Sequence, residues 1–306
     1  TGIFRHMYPY RNILFCTDFS PLSRSMLKYA AAFARAHNAR LYIHNVQEGT
    51  LPPQALRLSE RALSEHGYEW LIAVRHELEE IGQHEVVKDL DVHLLLTEGN
   101  PADEITRVAM EHQIDLVTIA TQNRSTLGRA MVGSTCVAIL EKIKCPVLVS
   151  RQPAHDFVFY RGSETTIALN RILFATDFSA DDAAAKTLAI NLAREHHSRL
   201  IFTHALGVFL NYVRAVTTIG TDDIESHVRK EATEKLAALQ AEAEGIESKT
   251  VLGEGRTYSE VLRIAKESDV DLIVVGTGNR QTGNVLGRNT ERIMRDATCP
   301  VLIVPS

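Results

Sequence analysis

Two stretches of this chain nearly coincide: NILFCTDFS from Asn12 to Ser20, and RILFATDFS from Arg171 to Ser179. DLVTIATQNR from Asp115 returns as DLIVVGTGNR from Asp271, and CPVLVS from Cys145 returns as CPVLIV from Cys299. The offset is 159 residues at the first pair, 156 at the second and 154 at the third. So small a drift requires one domain duplicated head to tail, because solenoid repeats run only about 20–50 residues. A chain of 306 residues is two domains by the prior of ~150 residues each, and either half is long enough to bury a core. The boundaries read as a first domain over 1–151, a linker over 152–169 and a second domain over 170–306. The linker contains Pro153, Gly162 and a Ser/Thr cluster.

Composition removes several function classes. A net charge of −5 and a pI near 6.2 leave no electrostatic footprint for nucleic acid or an anionic membrane. No apolar run reaches the ~18 residues of a membrane-spanning helix. Four cysteines in the whole chain are no disulfide framework, so a reducing, cytoplasmic setting is expected. The opening TGIFRHM has no apolar core of a secretory signal. Met7 is a candidate start, residues 1–6 then being foreign to the natural protein.

Periodicity gives the same succession of elements in each half. The first half reads as strands 13–17, 41–46, 92–97, 116–120 and 147–149, and helices from Leu22 to Ala34, 54–85, 102–112 and 133–142. Ser20 is the expected N-cap of the first helix and Pro21 its first residue, where a missing N–H costs nothing. The second half reads as strands 172–176, 200–204, 248–252, 272–275 and 301–304, with helices over 181–197, 223–243, 257–267 and 286–296. Continuous Val/Ile/Leu strands alternating with helices call for a parallel sheet covered on both faces. With right-handed crossovers each half is a doubly wound α/β unit of five strands.

Three features stand outside the core pattern. Asp18, with its counterpart Asp177, follows the first strand, where ligands of open α/β sheets collect. It can accept from an adenine amine or a ribose hydroxyl, or it can serve as an N-terminal helix charge. The second feature is the loop after the fourth strand, which ends in Gly133-Ser134-Thr135 at a helix start. Free N–H groups there suit a phosphate. The third is the set of thirteen histidines, which contains no HExxH or regular Cys/His spacing, so no metal site is expected. His196 and His197 fit a helix end, and His204 falls beside Asp177 at a strand end. Cys136 has no readable base partner and is expected to be a packed helix residue.

The openings FCTDFS and FATDFS, EGNPADEI and EGRTYSEV before the third helices, and the closing CPVLVS and CPVLIV together resemble the universal stress protein family. The resemblance covers both halves and implies a tandem universal stress protein. It implies an open five-stranded sheet of the adenine nucleotide alpha hydrolase-like kind, with the fifth strands pairing the copies as an internal pseudo-dimer. It also implies ATP binding through Gly, two residues, Gly, nine residues, then Gly-Ser or Gly-Thr.

Neither copy keeps that motif. In the first, Ala120 and Asn123 replace the leading glycines, while Gly133-Ser134 close an intact interval. Asn tolerates left-handed backbone, whereas Ala120 adds a Cβ where the backbone would approach a ligand. The second copy keeps Gly276, has Asn279 at the second position, and reaches Gly287 after seven residues, with Arg288 in place of the hydroxyl. Two missing residues remove up to roughly 7 Å of reach.

The expectation is therefore a stress-response, ligand-holding protein that binds ATP or AMP in the first copy and has a degenerate second site. In the first copy, Thr17, Asp18 and Val46 take the base or ribose, and Gly133, Ser134 and Thr135 take the phosphates. Thr176 and Asp177 are the second-copy counterparts of Thr17 and Asp18. Mg2+ would accompany ATP, with Asp18 the candidate to hold it. No catalytic residue is assigned, since hydrolysis would need a positioned base. A slow ATPase and a scaffold acting through a protein partner, in either case with a further homodimer open, are the alternatives.

Overall fold

The computed structural model describes residues 9–49, 55–121, 134–151, 155–162, 164–207, 221–278 and 286–306. The chain divides into two compact units, Thr1–Arg151 with Val158–Ile167, and Gln152–Phe157 with Ala168–Ser306.

In the first unit the strands are β1 (Asn12–Cys16), β2 (Arg40–Gln47), β3 (Val92–Glu98), β4 (Leu116–Ala120) and β5 (Val147–Ser150). They lie in the order β5-β4-β1-β2-β3, and every pairing is parallel, with Ile13 opposite both Leu41 and Leu116. β1 shows why a continuous apolar run is needed: Ile13, Leu14 and Phe15 are all fully buried, as a strand covered on both faces requires. The helices are α1 (Pro21–Ser25), α2 (Leu27–His37), α3 (Glu60–Glu65), α4 (Glu69–Gly82), α5 (Pro101–Glu111) and α6 (Ser134–Lys142). The capping expectation holds: Ser20 Oγ accepts from Ser23 N, and Pro21 opens the helix. Asn100 caps α5 in the same way, accepting from Ala102 N and Asp103 N.

Three expectations change, the first being that the helix expected from Leu22 to Ala34 is divided at Met26 into α1 and α2. The single helix expected over 54–85 is a 3-10 turn at Ala55–Arg57 followed by α3 and α4. Gly67, at φ +76°, takes a left-handed conformation that a helix interior excludes. The break lets Ala55, Leu63 and Leu71 close on one another as a buried cluster. The segment expected as a linker contains an antiparallel hairpin, β6 (Val158–Arg161) with β7 (Glu164–Ile167). An isolated two-stranded hairpin is marginal in water. This one has support: Val158 is buried, and Arg35 of α2 donates to Thr165 Oγ1 at 2.8 Å.

The second unit repeats the plan with β8 (Arg171–Ala175), a 3-10 turn (Ala180–Asp182), α7 (Ala183–His196), β9 (Arg199–Ala205), α8 (Thr221–Glu242), β10 (Ser248–Gly253), α9 (Thr257–Glu267), β11 (Leu272–Gly276), α10 (Arg288–Asp296) and β12 (Val301–Val304). Its strand order is β10-β9-β8-β11-β12, again parallel throughout. Ile172 faces Leu272 as Ile13 faces Leu116. The helix expected from residue 181 begins as the 3-10 turn, and this difference proves important at the site.

Candidate functional site

In each unit the chain winds from its first strand to one side of the sheet, then returns to place its fourth and fifth strands on the other. The direction reverses between β1 and β4, and between β8 and β11. The crevice at the carboxyl ends of such a pair is where an open α/β sheet admits a ligand. Thr17-Asp18 and Ala120-Thr121 flank it in the first unit, Thr176-Asp177 and Gly276-Thr277 in the second.

The TDFS turns are built alike. Phe19 and Phe178 both sit at φ +63°, a left-handed conformation costly for a bulky residue. Each is held there by its own amide, which donates to Thr17 Oγ1 (3.0 Å) or Thr176 Oγ1 (2.8 Å). Asp18 Oδ1 accepts from Ser20 N (3.1 Å) and Ser20 Oγ (2.6 Å), and Asp177 Oδ1 accepts from Ser179 N (2.8 Å). The aspartate thus has a structural task in both copies. Burial alone would raise the Asp18 pKa, but the bonds from Ser20 and Ser23 outweigh it and hold the group below the usual carboxylate range. Thr17 is fully engaged by the protein: its N–H donates to His44 O, its carbonyl accepts from Asn45 Nδ2, and its hydroxyl bonds Ser23 Oγ.

The second strands supply a matched pair, of which sequence reading flagged His204 and missed Asn45. Asn45 Nδ2 reaches Thr17 O at 2.8 Å, and His204 Nδ1 reaches Thr176 O at 2.8 Å. Both side chains stand one position before the end-strand pair Val46 and Ala205, and the shared register was the signal available. His204 also lies against the Phe178 ring, centroids 4.3 Å apart, and burial lowers its pKa.

The copies part company one turn into the first helix. Ser23 in the first copy bonds Thr17 through its hydroxyl at 3.0 Å. Its counterpart in the second is Asp182, whose Oδ2 accepts from Thr176 Oγ1 (2.7 Å) and Asp177 N (2.9 Å). Asp182 is only 8% exposed. Its other oxygen lies 2.6 Å from the point a Cβ on Gly276 would occupy, whereas the first copy carries Ala120 there. Burial pushes the Asp182 carboxyl up to about 6; its bonds from Thr176 and Asp177 N–H oppose the rise, and the Asp177 charge adds to it.

Of the loop residues, Asn123, Gly133 and Asn279 lie outside the described residues. Ser134 and Thr135 open α6, with Ser134 exposed, and Arg288 opens α10. Gly287 caps α10 and donates its N–H to Thr277 O at 2.7 Å. A Cβ on Gly278, at φ +100°, would fall 3.0 Å from Gly287 Cα. The two glycine backbones therefore close on each other, and Thr290 Oγ1 bonds Gly276 O at 3.1 Å. Thr121, Ser150 and Thr277 carry buried hydroxyls without a hydrogen-bond partner among the described residues. The first two end neighbouring strands of the first unit, since Thr121 N donates to Ser150 O.

The opposite ends of the sheets hold purely structural carboxylates. Asp115 Oδ2 accepts from Arg11 N and Asn12 N (2.7 and 2.9 Å), and Asp271 Oδ2 accepts from Asn170 N and Arg171 N (2.8 and 2.7 Å). All four cysteines are buried thiols. Burial pushes Cys136, Cys145 and Cys299 up to about 12 and Cys16 upward too, which removes the thiolate a nucleophile needs. Among the described residues no three His, Cys, Asp or Glu side chains gather as a metal site. No described helix is long and apolar enough to cross a membrane.

Known proteins match this duplicated plan. The chain is 30% identical over 152 residues to universal stress protein MJ0531 of Methanocaldococcus jannaschii, covering 48% of this chain and 85% of that one. It is 32% identical over 147 residues to universal stress protein YxiE of Bacillus subtilis, covering 44% and 98%. Over its whole length it shares its fold with a universal stress protein of Archaeoglobus fulgidus (TM-score 0.62, 20% identity, 96% of each chain). Protein PA1789 of Pseudomonas aeruginosa is comparable (TM-score 0.64, 19% identity, 98% and 94%). The universal stress protein family model matches twice, over residues 9–151 and 168–305, and the chain belongs to that family.

Proposed function

We propose that this chain is a cytoplasmic, stress-responsive ligand-holding protein whose first copy binds an adenine nucleotide at the β1/β4 crevice. The observation that carries this reading is the crevice itself. Ser23 and Ala120 are small, Asp18 is an ionised carboxylate at its mouth, and Thr121 and Ser150 carry buried hydroxyls without a partner among the described residues. Buried polar atoms without partners are few in folded proteins and call for an explanation. Here a ribose or phosphate oxygen would answer them. Beyond Thr121 the chain reaches the start of α6, where Ser134 and Thr135 add a hydroxyl pair and the positive end of the helix to any phosphate. Mg2+, if it accompanies ATP, has Asp18 as its protein ligand. With no base beside these groups among the described residues, binding and regulation are proposed ahead of turnover.

Calorimetric titration with ATP tests it, and one nucleotide per chain is the expected result. Asp18→Ala is expected to weaken binding by about 10–100-fold, the loss of one charge-assisted hydrogen bond. The ligand-free protein is expected to change little. The turn loses bonds worth about 1 kcal/mol, or roughly 2–4 °C in Tm for a domain of this size. A collapse of the ligand-free protein would make Asp18 structural alone. Two nucleotides per chain would reverse the ranking of the copies, and none would favour the scaffold alternative. Steady phosphate release from bound ATP would move the protein to the enzymes.

A further inference from the structure

The two copies differ at a matched pair of positions, and the difference is reciprocal. The first has Ser23 with Ala120; the second has Asp182 with Gly276. In the second copy the larger acid is paired with the smallest residue, and one oxygen of that acid approaches to 2.6 Å from where a Cβ would stand. An alanine there would force the Asp182 carboxylate, already held by the Thr176 hydroxyl and the Asp177 amide, to shift. The other oxygen takes the Thr176 hydroxyl and the Asp177 amide, two donors at the mouth of the β8/β11 crevice. A carboxylate seated on donors at the switch point of the sheet is placed as a bound anion would be. Among the described residues of this loop, Gly278 and Gly287 pack against each other.

We propose that Asp182 is a built-in occupant of the second copy's crevice, and that this side chain reserves nucleotide binding to the first copy. The inference rests on the nucleotide reading above for the identity of the ligand, and on the packing of Asp182 against Gly276 for the closure. Its consequence is that the glycine kept from the nucleotide motif is kept for Asp182, not for a nucleotide.

The test uses the full chain, with AMP as the probe because its single phosphate asks least of the shortened loop. Calorimetry on the wild type and on Asp182→Ser, which installs the first copy's residue, is expected to count one AMP per chain rising to two. The wild-type count reports on the first copy; the increment reports on Asp182. An unchanged count of one overturns the proposal and leaves the first-copy reading intact. A count of zero rising to one removes that reading and upholds the proposal, and zero in both proteins removes both. A second measurement needs no ligand. Gly276→Ala alone is expected to lower Tm by roughly 3–10 °C through overpacking. In the Asp182→Ser background the shift is expected to shrink below about 2 °C, as the Ser23–Ala120 pair is accommodated in the first copy. Equal shifts in the two backgrounds would show that Asp182 does not fill the crevice.

Discussion

Replacing Asp271 with alanine is expected to destabilise the second unit by about 2–4 kcal/mol, because two backbone donors lose a buried acceptor at once. Asp271 is 3% exposed and holds the amides of Asn170 and Arg171 at the start of β8. His155 Nδ1 meets its other oxygen at 3.2 Å. Asp271→Asn, which keeps an acceptor, is expected to recover part of the loss. Asp103→Ala is the surface control. Its ion pair with Lys142 joins side chains 59% and 48% exposed, so a change of no more than about 0.5 kcal/mol is expected. Urea unfolding, followed by amide exchange at β8, reads both. A change at Asp271 no larger than at Asp103 would sink the account of Asp271 as the staple of that strand.

The second large effect is a pH dependence carried by Asp182. Its folded pKa, about 6, lies above the ordinary carboxylate value. The native state therefore binds the proton more tightly than the unfolded chain, and stability falls as pH rises from about 4 to about 6. Two pKa units correspond to on the order of 2 kcal/mol. Other carboxylates push the total the opposite way: Asp18 and Glu104 both have lowered values. The comparison that isolates Asp182 is therefore wild type against Asp182→Asn. The Asn variant is expected to gain about 2 kcal/mol relative to wild type between pH 4 and pH 7, with the change complete a little above pH 6. A difference that is flat with pH, or that runs the other way, would mean the carboxyl is not held in a costly buried position.

Much of this protein was readable without coordinates. The duplication, the parallel sheets and the order of elements follow from repeated motifs and from apolar runs such as Ile13–Phe15, which a two-sided core demands. Capping at Ser20 was equally legible, because a cap is a local interaction between residues two or three apart. Gly67 was in plain view, yet the break between α3 and α4 was not read. A single glycine within a charged amphipathic stretch changes the outcome only when a tertiary cluster, here Ala55, Leu63 and Leu71, favours the break. The hairpin at 158–167 was hidden for a related reason: its support comes from Arg35, 130 residues earlier.

The site divides along the same line. Sequence alone placed Asp18 and Asp177 just after a strand and Ala120 and Gly276 at the end of one, and it ranked the first copy above the second from the loop lengths. The repeats align Asp182 with Ser23, but residue identities could not say that Asp182 leans on Gly276. Those two residues are 94 positions apart by number (276 − 182), and the contact exists only because β8 and β11 lie side by side. Nor could they show that Asp18 and Thr17 already serve the turn they were expected to open to a ligand. Local chemistry and periodicity are written in neighbouring letters. Occupancy of a crevice depends on volumes and donors from distant segments, and the folded chain alone brings those together.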